Sequence, residues 1–315
     1  MNFLNLLKKC TLCPHKCKVN RLQKEKGYCK ALDEILISSY LAHFGEEPPI
    51  SGENGSGTIF FGYCNMKCVY CQNFQISQEF SYDDFKKINI QDLSKIMILL
   101  QEKGCHNINL VSPTIWIPHI IESIKLAREK NNLKIPIVYN CGGYENPKII
   151  KLLKGFIQIY MPDIRYSDDE NAYKFSKIKN YVENNQKSLI EMYNQVGPLK
   201  INKKGIATKG LMIRLLIMPN NVSGIKKSLD FIKNKLSTDV YISIMAQYNP
   251  LYKANFYPEI NRKISYKEYN EIIKYAEKLG FSNGAIQEFE GLNQQNMEDL
   301  FIPDFKSENI FKYKK

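Results

Sequence analysis

Three cysteines lie within eight residues in the segment GYCNMKCVYCQN, where their spacing is C-x3-C-x2-C. They are Cys64, Cys68 and Cys71. A [4Fe–4S] cube normally takes four thiolates, so a loop that supplies three leaves one iron open for a substrate or cofactor. A structural zinc site would need a fourth Cys or His to close its tetrahedron, and His43 and His106 are distant in the sequence. The spacing therefore predicts an iron–sulfur cluster with one open iron, in preference to a chance grouping of buried cysteines.

A second cysteine group lies near the start of the chain, where Cys10, Cys13, Cys17 and Cys29 follow the pattern C-x2-C-x3-C-x11-C. Four thiolates make a closed ligand set. Such a set suits a structural zinc ion, or a second [4Fe–4S] cluster that relays electrons or binds substrate. His15 could replace one of the cysteines. The pattern predicts a metal site and leaves zinc and iron–sulfur both open.

Composition narrows the class of protein. The chain has 315 residues, of which 44% are hydrophobic, enough for one large α/β domain and a small appendage. The start, MNFLNLLKKC, does not resemble a signal peptide, and no stretch is apolar enough to span a membrane, so we expect a cytoplasmic protein. Clustered cysteines in such a protein indicate metal binding more than disulfides. The formal net charge is +12, but the lysines come as scattered pairs, which makes nucleic acid the less expected partner.

Strand-like and helix-like segments alternate from residue 58 onward. The predicted strands are apolar runs bounded by turn residues: Thr58–Gly62, Asn107–Val111, Ile135–Asn140, Phe156–Asp163, Leu211–Pro219, Val240–Gln247 and, as a seventh, Ala285–Phe289. The predicted helices are Asp92–Lys103, Ile117–Lys130, Pro147–Lys154, Asp168–Lys177, Tyr181–Val196, Ser223–Lys235 and Ser265–Leu279. Repeated β–α units predict a parallel sheet that curves into a full or partial (β/α) barrel. We expect this barrel domain over 58–315, preceded over 1–57 by a cysteine-rich metal-binding extension and a turn-rich connector.

Polar residues follow several predicted strands at the point where each strand ends. They are Cys64 after the first strand, Ser112 and Thr114 after the second, Asn140 and Cys141 at the third, Asp163 at the fourth and Gln247 at the sixth. Barrels of this kind carry their chemistry at the carboxyl ends of the strands. We therefore expect one site there. The alternatives are a turn role for Asn140 and a helix N-cap role for Asp163.

The cysteine loop resembles that of the radical S-adenosylmethionine (SAM) superfamily, including the aromatic Tyr70 just before the last cysteine. More narrowly, the chain resembles uncharacterised iron–sulfur proteins related to pyruvate formate-lyase activating enzyme. The similar segments are CTLCPHKCKVNR, GYC, HFGEEPPISG, GSGTIFFGYCNMKC and CQN, and further on VSPT, YNCGGYEN, IYMPDIRY and RLLIMPN. This resemblance implies an α/β fold, namely a partial (β/α)6-type radical SAM barrel with a small cysteine-rich N-terminal extension.

The resemblance also implies a mechanism. The open iron of a [4Fe–4S] cluster on Cys64, Cys68 and Cys71 would chelate the amino and carboxylate groups of SAM. An electron from the reduced cluster would break a C–S bond of SAM and give methionine and a 5′-deoxyadenosyl radical, which abstracts hydrogen from a substrate. Such an enzyme is anaerobic and needs an electron donor, for which flavodoxin or ferredoxin is expected by resemblance.

Further contacts to SAM follow from the resemblance. Tyr70 is expected near the adenine. The acidic residue that the superfamily carries after the second strand is absent, and Ser112 and Thr114 offer hydroxyls in its place. Activating enzymes bind a monovalent cation beside SAM at positions that correspond to Asn140 and Asp163, and Asn in place of Asp weakens that site.

Arg214 lies inside an apolar strand, where an unpaired guanidinium is costly to bury. It should face a carboxylate, and the candidates are that of SAM and that of Asp163. Gln247 ends the sixth strand, where related enzymes keep a residue that contacts SAM.

Three hypotheses for the function remain. The leading one is a radical SAM enzyme that acts on a protein, as glycyl-radical activating enzymes do. The second is radical modification of a small molecule or RNA. The third is a non-catalytic iron–sulfur or zinc protein for electron transfer or scaffolding, which predicts no cleavage of SAM.

Overall fold

The structure is a computed structural model that describes residues 2–289, 302–307 and 310–311. Within these residues the strands are β1 Ile35–His43, β2 Ser56–Phe61, β3 Lys86–Ile88, β4 Ile108–Val111, β5 Ile137–Cys141, β6 Ile159–Pro162, β7 Lys200–Ile201, β8 Ala207–Leu216, β9 Tyr241–Met245 and β10 Gly284–Ile286. The α-helices are α1 Pro48–Ser51, α2 Phe74–Ser77, α3 Ile90–Glu102, α4 Ile117–Asn131, α5 Pro147–Leu152, α6 Asp169–Ser176, α7 Tyr181–Val196, α8 Ile225–Lys235 and α9 Tyr266–Leu279. Short 3-10 helices cover Phe3–Leu7, Arg21–Gln23, Tyr82–Asp84, Thr114–Trp116, Pro219–Asn221, Ala254–Phe256 and Pro258–Ile260.

One sheet organises the chain. Its parallel strands follow chain order from β2 through β4, β5, β6, β8 and β9 to β10. Helices make the crossovers between them, as parallel neighbours require. The strand β1 pairs antiparallel with β2, β3 pairs antiparallel with β1 at the edge, and β7 forms a short hairpin with β8. The predicted partial (β/α) barrel is therefore confirmed, including the seventh parallel strand.

The strand β1 is the main element that the sequence pattern does not predict. It lies in the segment taken as a turn-rich connector, and it lengthens the sheet beyond the barrel strands. A core also holds the first residues of the chain, since Leu7 and Leu12 are buried in the main hydrophobic cluster. Of the predicted barrel domain 58–315, residues 290–301, 308–309 and 312–315 lie outside the described residues.

The two faces of the sheet are both buried, but against different partners. Successive side chains of a strand point to opposite faces. One face packs with the helices in the main core. The other face forms a smaller cluster, here called the inner core, made of Ile50 from α1 with Val138, Ile159, Met161, Leu199, Ala207, Met212 and Tyr241. Because the inner core fills this face of the sheet, only strand positions beyond it can contribute side chains to the site.

Within residues 2–289, 302–307 and 310–311, no helix has both the length and the apolar character to cross a membrane.

Candidate active site

The polar residues at the carboxyl ends of the strands share one face of the sheet. Asn140, Asp163 and Arg214 each stand two residues beyond an inner-core residue on β5, at the end of β6 and on β8. Because side chains alternate along a strand, these three point the same way as the inner core. Apolar packing thus fills the face up to the strand ends, where a cluster of charged and amide groups replaces it.

Four of the residues predicted from sequence line one cavity at these strand ends, here called the site cavity: Asn140, Asp163, Arg214 and Gln247. Glu46, from the loop after β1, completes another wall, and Gln72 and Asn73, which directly follow Cys71, line a third. The empty volume is about 830 Å³, open solvent included.

Arg214 is the centre of the polar network. Its Nε donates to Asp163 Oδ1 at 2.9 Å and its Nη2 to Asn140 Oδ1 at 2.6 Å, and its Nη1 lies 3.4 Å from Glu46 Oε2. Burial alone would lower the pKa of Arg214, but Asp163 and the two glutamates Glu46 and Glu47 raise it above its ordinary value. The pairing of Arg214 with Asp163, one of the two alternatives from the sequence, is therefore observed.

Asp163 has both carboxylate oxygens in ion pairs. Oδ1 pairs with Arg214, and Oδ2 lies 2.6 Å from Arg165 Nη2. The N-cap of α6 is Asp168, whose side chain accepts from the Asn171 amide, so Asp163 has no capping role there. A monovalent cation at Asp163 would share this carboxylate with two guanidinium groups.

Glu46 is the site residue that the sequence reasoning missed. Its Oε1 accepts from Asn109 Nδ2 at 2.8 Å and from Asn140 Nδ2 at 3.3 Å. Burial raises the pKa of Glu46, while Arg214 and the Asn109 hydrogen bond oppose that shift. The signal that the sequence offers is the pair of acidic residues in HFGEEPPISG.

The cysteine loop after β2 holds its three thiols in a polar but enclosed setting. Cys64 Sγ accepts from the Met66 amide at 3.4 Å, Cys68 Sγ accepts from Ser176 Oγ at 3.0 Å, and Cys71 Sγ lies 3.3 Å from Ser77 Oγ. Burial, followed by repulsion from Cys68, raises the pKa of Cys71 to about 12 and also raises that of Cys64. Iron binding would displace the thiol protons, because metal ligands bind as thiolates.

The donor set and its surroundings fit a [4Fe–4S] cluster. The three sulfurs are near enough to influence one another's ionisation, and each has a donor or hydroxyl beside it. Across the described part of the chain, no group of three or more His, Cys, Asp or Glu side chains is arranged to hold a metal ion. A four-iron cube binds each thiolate at a different iron, so its ligands need not converge on one ion.

The cysteine loop packs directly against the strand ends that line the site cavity. A Cβ atom at Gly142, just after β5, would lie 2.7 Å from Met66 Sδ and 3.3 Å from Arg165 Nε. Met66 belongs to the cysteine loop, and Arg165 pairs with Asp163. Any side chain at position 142 would therefore push apart the loop and the charged network.

Three predicted SAM contacts lie outside the residues that line the site cavity. Tyr70 is 3% exposed, and its hydroxyl shares a 2.7 Å hydrogen bond with that of Tyr166. Thr114 Oγ1 donates to Glu145 Oε1 at 2.7 Å, and Ser112 adopts a left-handed backbone with φ of 57°. The expected contacts of Tyr70, Ser112 and Thr114 with SAM stay predictions.

The four N-terminal cysteines lie near one another, although within the described residues no three of them are arranged around a single metal ion. Cys10, Cys13, Cys17 and Cys29 line one small cavity. Burial raises the pKa of Cys13 well above its ordinary value, and repulsion from the other three thiols adds to that shift. A Cβ atom at Gly27 would lie only 2.9 Å from the sulfur of Cys17, so a glycine lets the loop close around the group.

Comparison with known proteins shows which family the chain matches. The model of the radical SAM superfamily matches residues 58–232. A relative, Uncharacterized protein MJ0674 of Methanocaldococcus jannaschii, is 34% identical over 87% of this chain and 76% of its own length.

Solved structures resemble the fold at low sequence identity. The FeFe-hydrogenase maturase HydG from Carboxydothermus hydrogenoformans is 15% identical with a TM-score of 0.49, over 73% of this chain and 53% of its own. Streptococcus suis SuiB bound to precursor peptide SuiA is 14% identical with a TM-score of 0.48, over 72% of this chain and 47% of its own. The chain thus spans about half the length of these two structures. Since the family model covers more than half of the chain, the protein belongs to the radical SAM superfamily, whose enzymes cleave SAM at a [4Fe–4S] cluster.

Proposed function

We propose that the chain binds SAM in the site cavity and uses it to generate a radical on a protein substrate. The observation that carries this proposal is the junction between the cysteine loop and the charged network, where Gln72 and Asn73 continue from Cys71 into the cavity wall. When bound on Cys64, Cys68 and Cys71, the reduced cluster supplies the electron that cleaves SAM. The segments similar to iron–sulfur proteins related to pyruvate formate-lyase activating enzyme favour a protein as the substrate.

The charged residues of the cavity would orient the amino acid part of SAM. Glu46 takes the place of the acidic residue that is absent after β4, and its carboxylate would accept from the SAM amino group. Arg214 has five N–H donors and spends three of them on Asp163, Asn140 and Glu46. The remaining donors would bind the SAM carboxylate. Gln247 would contact SAM from the end of β9.

The four N-terminal cysteines would form a second metal centre. Zinc and a [4Fe–4S] cluster both suit four thiolates. The centre would lie beside the cysteine loop that follows β2. His15, between Cys13 and Cys17, has its Nε2 at 2.9 Å from the carbonyl oxygen of Asn65 in that loop.

Anaerobic reconstitution tests the catalytic proposal. The wild type, reduced with dithionite and supplied with SAM, should form 5′-deoxyadenosine, and the Cys68→Ala variant should form none. A wild type with an intact cluster that yields no 5′-deoxyadenosine, with or without candidate protein substrates, would move the electron-transfer or scaffold hypothesis ahead.

A further inference from the structure

A wide groove on the surface, away from the site cavity, has a strongly basic lining. Five exposed lysines line it: Lys16, Lys148, Lys177, Lys179 and Lys187, here called the lysine groove. Glu183 is the one acidic side chain among its lining residues, and it is paired with Lys187. The groove is open to solvent and has about 1890 Å³ of empty volume, that solvent included. Its basic lining suits an acidic partner.

The floor of the lysine groove reaches both cysteine groups. His15 and Tyr28 line the groove and stack on each other with ring centroids 3.7 Å apart. His15 Nε2 lies 2.9 Å from the carbonyl oxygen of Asn65, the residue after Cys64, and the Tyr28 amide donates to Cys17 Sγ at 3.3 Å. This is a short covalent and hydrogen-bonded path from the surface to the catalytic cysteine loop.

We propose that the lysine groove is the docking surface for an acidic flavoprotein that carries single electrons. The inference rests on the proposed function, in which SAM cleavage consumes an electron that the chain must receive from outside. In the docked complex the carrier loses one electron and the catalytic cluster gains it, with no bond made or broken. Complementary charge speeds such encounters and orients the partners, and redox complexes of this kind need only a small interface.

The aromatic residues of the groove favour a protein over single-stranded nucleic acid. Nucleic-acid grooves present free aromatic faces on which bases stack. Here Tyr28 is stacked on His15, and Lys177 and Lys179 lie over the Tyr173 ring at 5.7 and 5.8 Å. The Tyr144 hydroxyl donates to the carbonyl oxygen of Lys179 at 2.9 Å. Tyr28 and Tyr144 are thus engaged in contacts within the chain, and Tyr173, which is 53% exposed, has two lysines over its ring.

Charge reversal tests the docking surface on the full-length reconstituted protein. The groove variant carries Lys148→Glu, Lys177→Glu and Lys179→Glu. The matched control carries Lys200→Glu, Lys203→Glu and Lys209→Glu, which are exposed on the β7–β8 hairpin at the amino end of β8. The probe is a flavodoxin. Its oxidised form is used for binding by calorimetry at low salt, and its reduced form is used to drive formation of 5′-deoxyadenosine beside a dithionite-driven reaction.

The groove variant should bind flavodoxin about tenfold more weakly than the wild type or the control variant. Its flavodoxin-driven rate should fall by a similar factor at subsaturating flavodoxin, while its dithionite-driven rate stays within about twofold of the wild type. Added salt should weaken binding to the wild type and should affect the groove variant less, because surface charges are screened.

Three results would overturn the docking surface: unchanged flavodoxin binding by the groove variant, no salt-sensitive binding of flavodoxin by the wild type, or loss of binding to a labelled single-stranded RNA with flavodoxin binding intact. Absence of 5′-deoxyadenosine from the wild type with dithionite counts against the proposed function alone. In that case the calorimetric measurement of flavodoxin binding still tests the docking surface.

Discussion

At the scale of single residues, Arg214 joins two carboxylates from distant parts of the chain. Glu46 comes from the loop after β1 and Asp163 from the end of β6, and buried charges of this kind are tolerated when they are paired and hydrogen-bonded. Glu46 and Asp163 bring two carboxylates against the guanidinium groups of Arg214 and Arg165.

We expect Glu46→Gln to weaken SAM binding by about tenfold, because a hydrogen bond to a charged group contributes about 1.5–3 kcal/mol. The amide keeps the shape of the side chain but removes the negative charge and one acceptor. Equilibrium dialysis of SAM against the reconstituted variant measures the change without relying on turnover. Glu47→Gln is the matched control, since Glu47 neighbours Arg214 electrostatically but does not line the site cavity. Equal affinity in wild type and Glu46→Gln would refute the assigned role.

At the scale of elements, a buried carboxyl ties two strand ends together behind the site cavity. Glu145 accepts from Thr114 Oγ1 at 2.7 Å, after β4, and from the Tyr139 hydroxyl at 2.9 Å, on β5. Burial raises the pKa of Glu145 to about 7, although these hydrogen bonds oppose the shift. The folded protein therefore binds this proton more tightly than the unfolded chain.

The sign of the resulting pH dependence follows from linkage. The contribution of Glu145 is fully present below its unfolded pKa, about 4.3, and it is lost as pH rises through about 7. We expect Glu145 to account for about 3 kcal/mol of the unfolding free energy lost over this range, so that Glu145→Gln loses less stability than the wild type by that amount. Urea unfolding at pH 5 and pH 8 measures it, with the exposed Glu102→Gln as control. The same pH dependence in Glu145→Gln and wild type would show that another group is responsible.

Local pattern predicted most elements, because apolar runs and helical periodicity are properties of neighbouring residues. The helix Tyr181–Val196 matches its predicted bounds. The strand Ile35–His43 was missed since it pairs antiparallel with β2, has a register shift and lies beside turn-rich sequence. Glu46 was missed for a different reason: its partners Asn140 and Arg214 are 94 and 168 residues away. Only the three-dimensional fold brings a residue of the connector into the cavity.

At the scale of the whole molecule, the N-terminal segment contacts the barrel at several points. The Phe3 ring meets Phe156 edge-on at 6.1 Å, and Arg21 Nη1 donates to the Ile115 carbonyl oxygen at 2.6 Å. Asn146 Nδ2 donates to the Thr11 carbonyl oxygen at 2.7 Å. The four cysteines lie within this segment. A metal bound to them would therefore stabilise both the loop that carries them and the contact of His15 with the cysteine loop after β2.

The two cysteine groups should therefore bind metal independently of each other, although contacts between their loops help to hold both in place. We expect the double variant Cys13→Ala and Cys29→Ala to lose the second metal and to keep the cluster on Cys64, Cys68 and Cys71. We expect Cys68→Ala to do the reverse. Iron, zinc and sulfide counts per chain measure both, and the kind of metal lost from the double variant distinguishes zinc from iron–sulfur.

The double variant should also be less stable by at least about 2 kcal/mol, because metal binding to a folded site adds to folding free energy. Limited proteolysis should then cleave first among the exposed lysines between Cys17 and Cys29, where the loop would lose its restraint. If both variants lost all metal together, the thiols would form one interdependent centre. If the double variant kept the metal content and protease resistance of the wild type, core contacts such as those of Phe3 and Arg21 would suffice to hold the segment, and the four cysteines would have no metal-binding role.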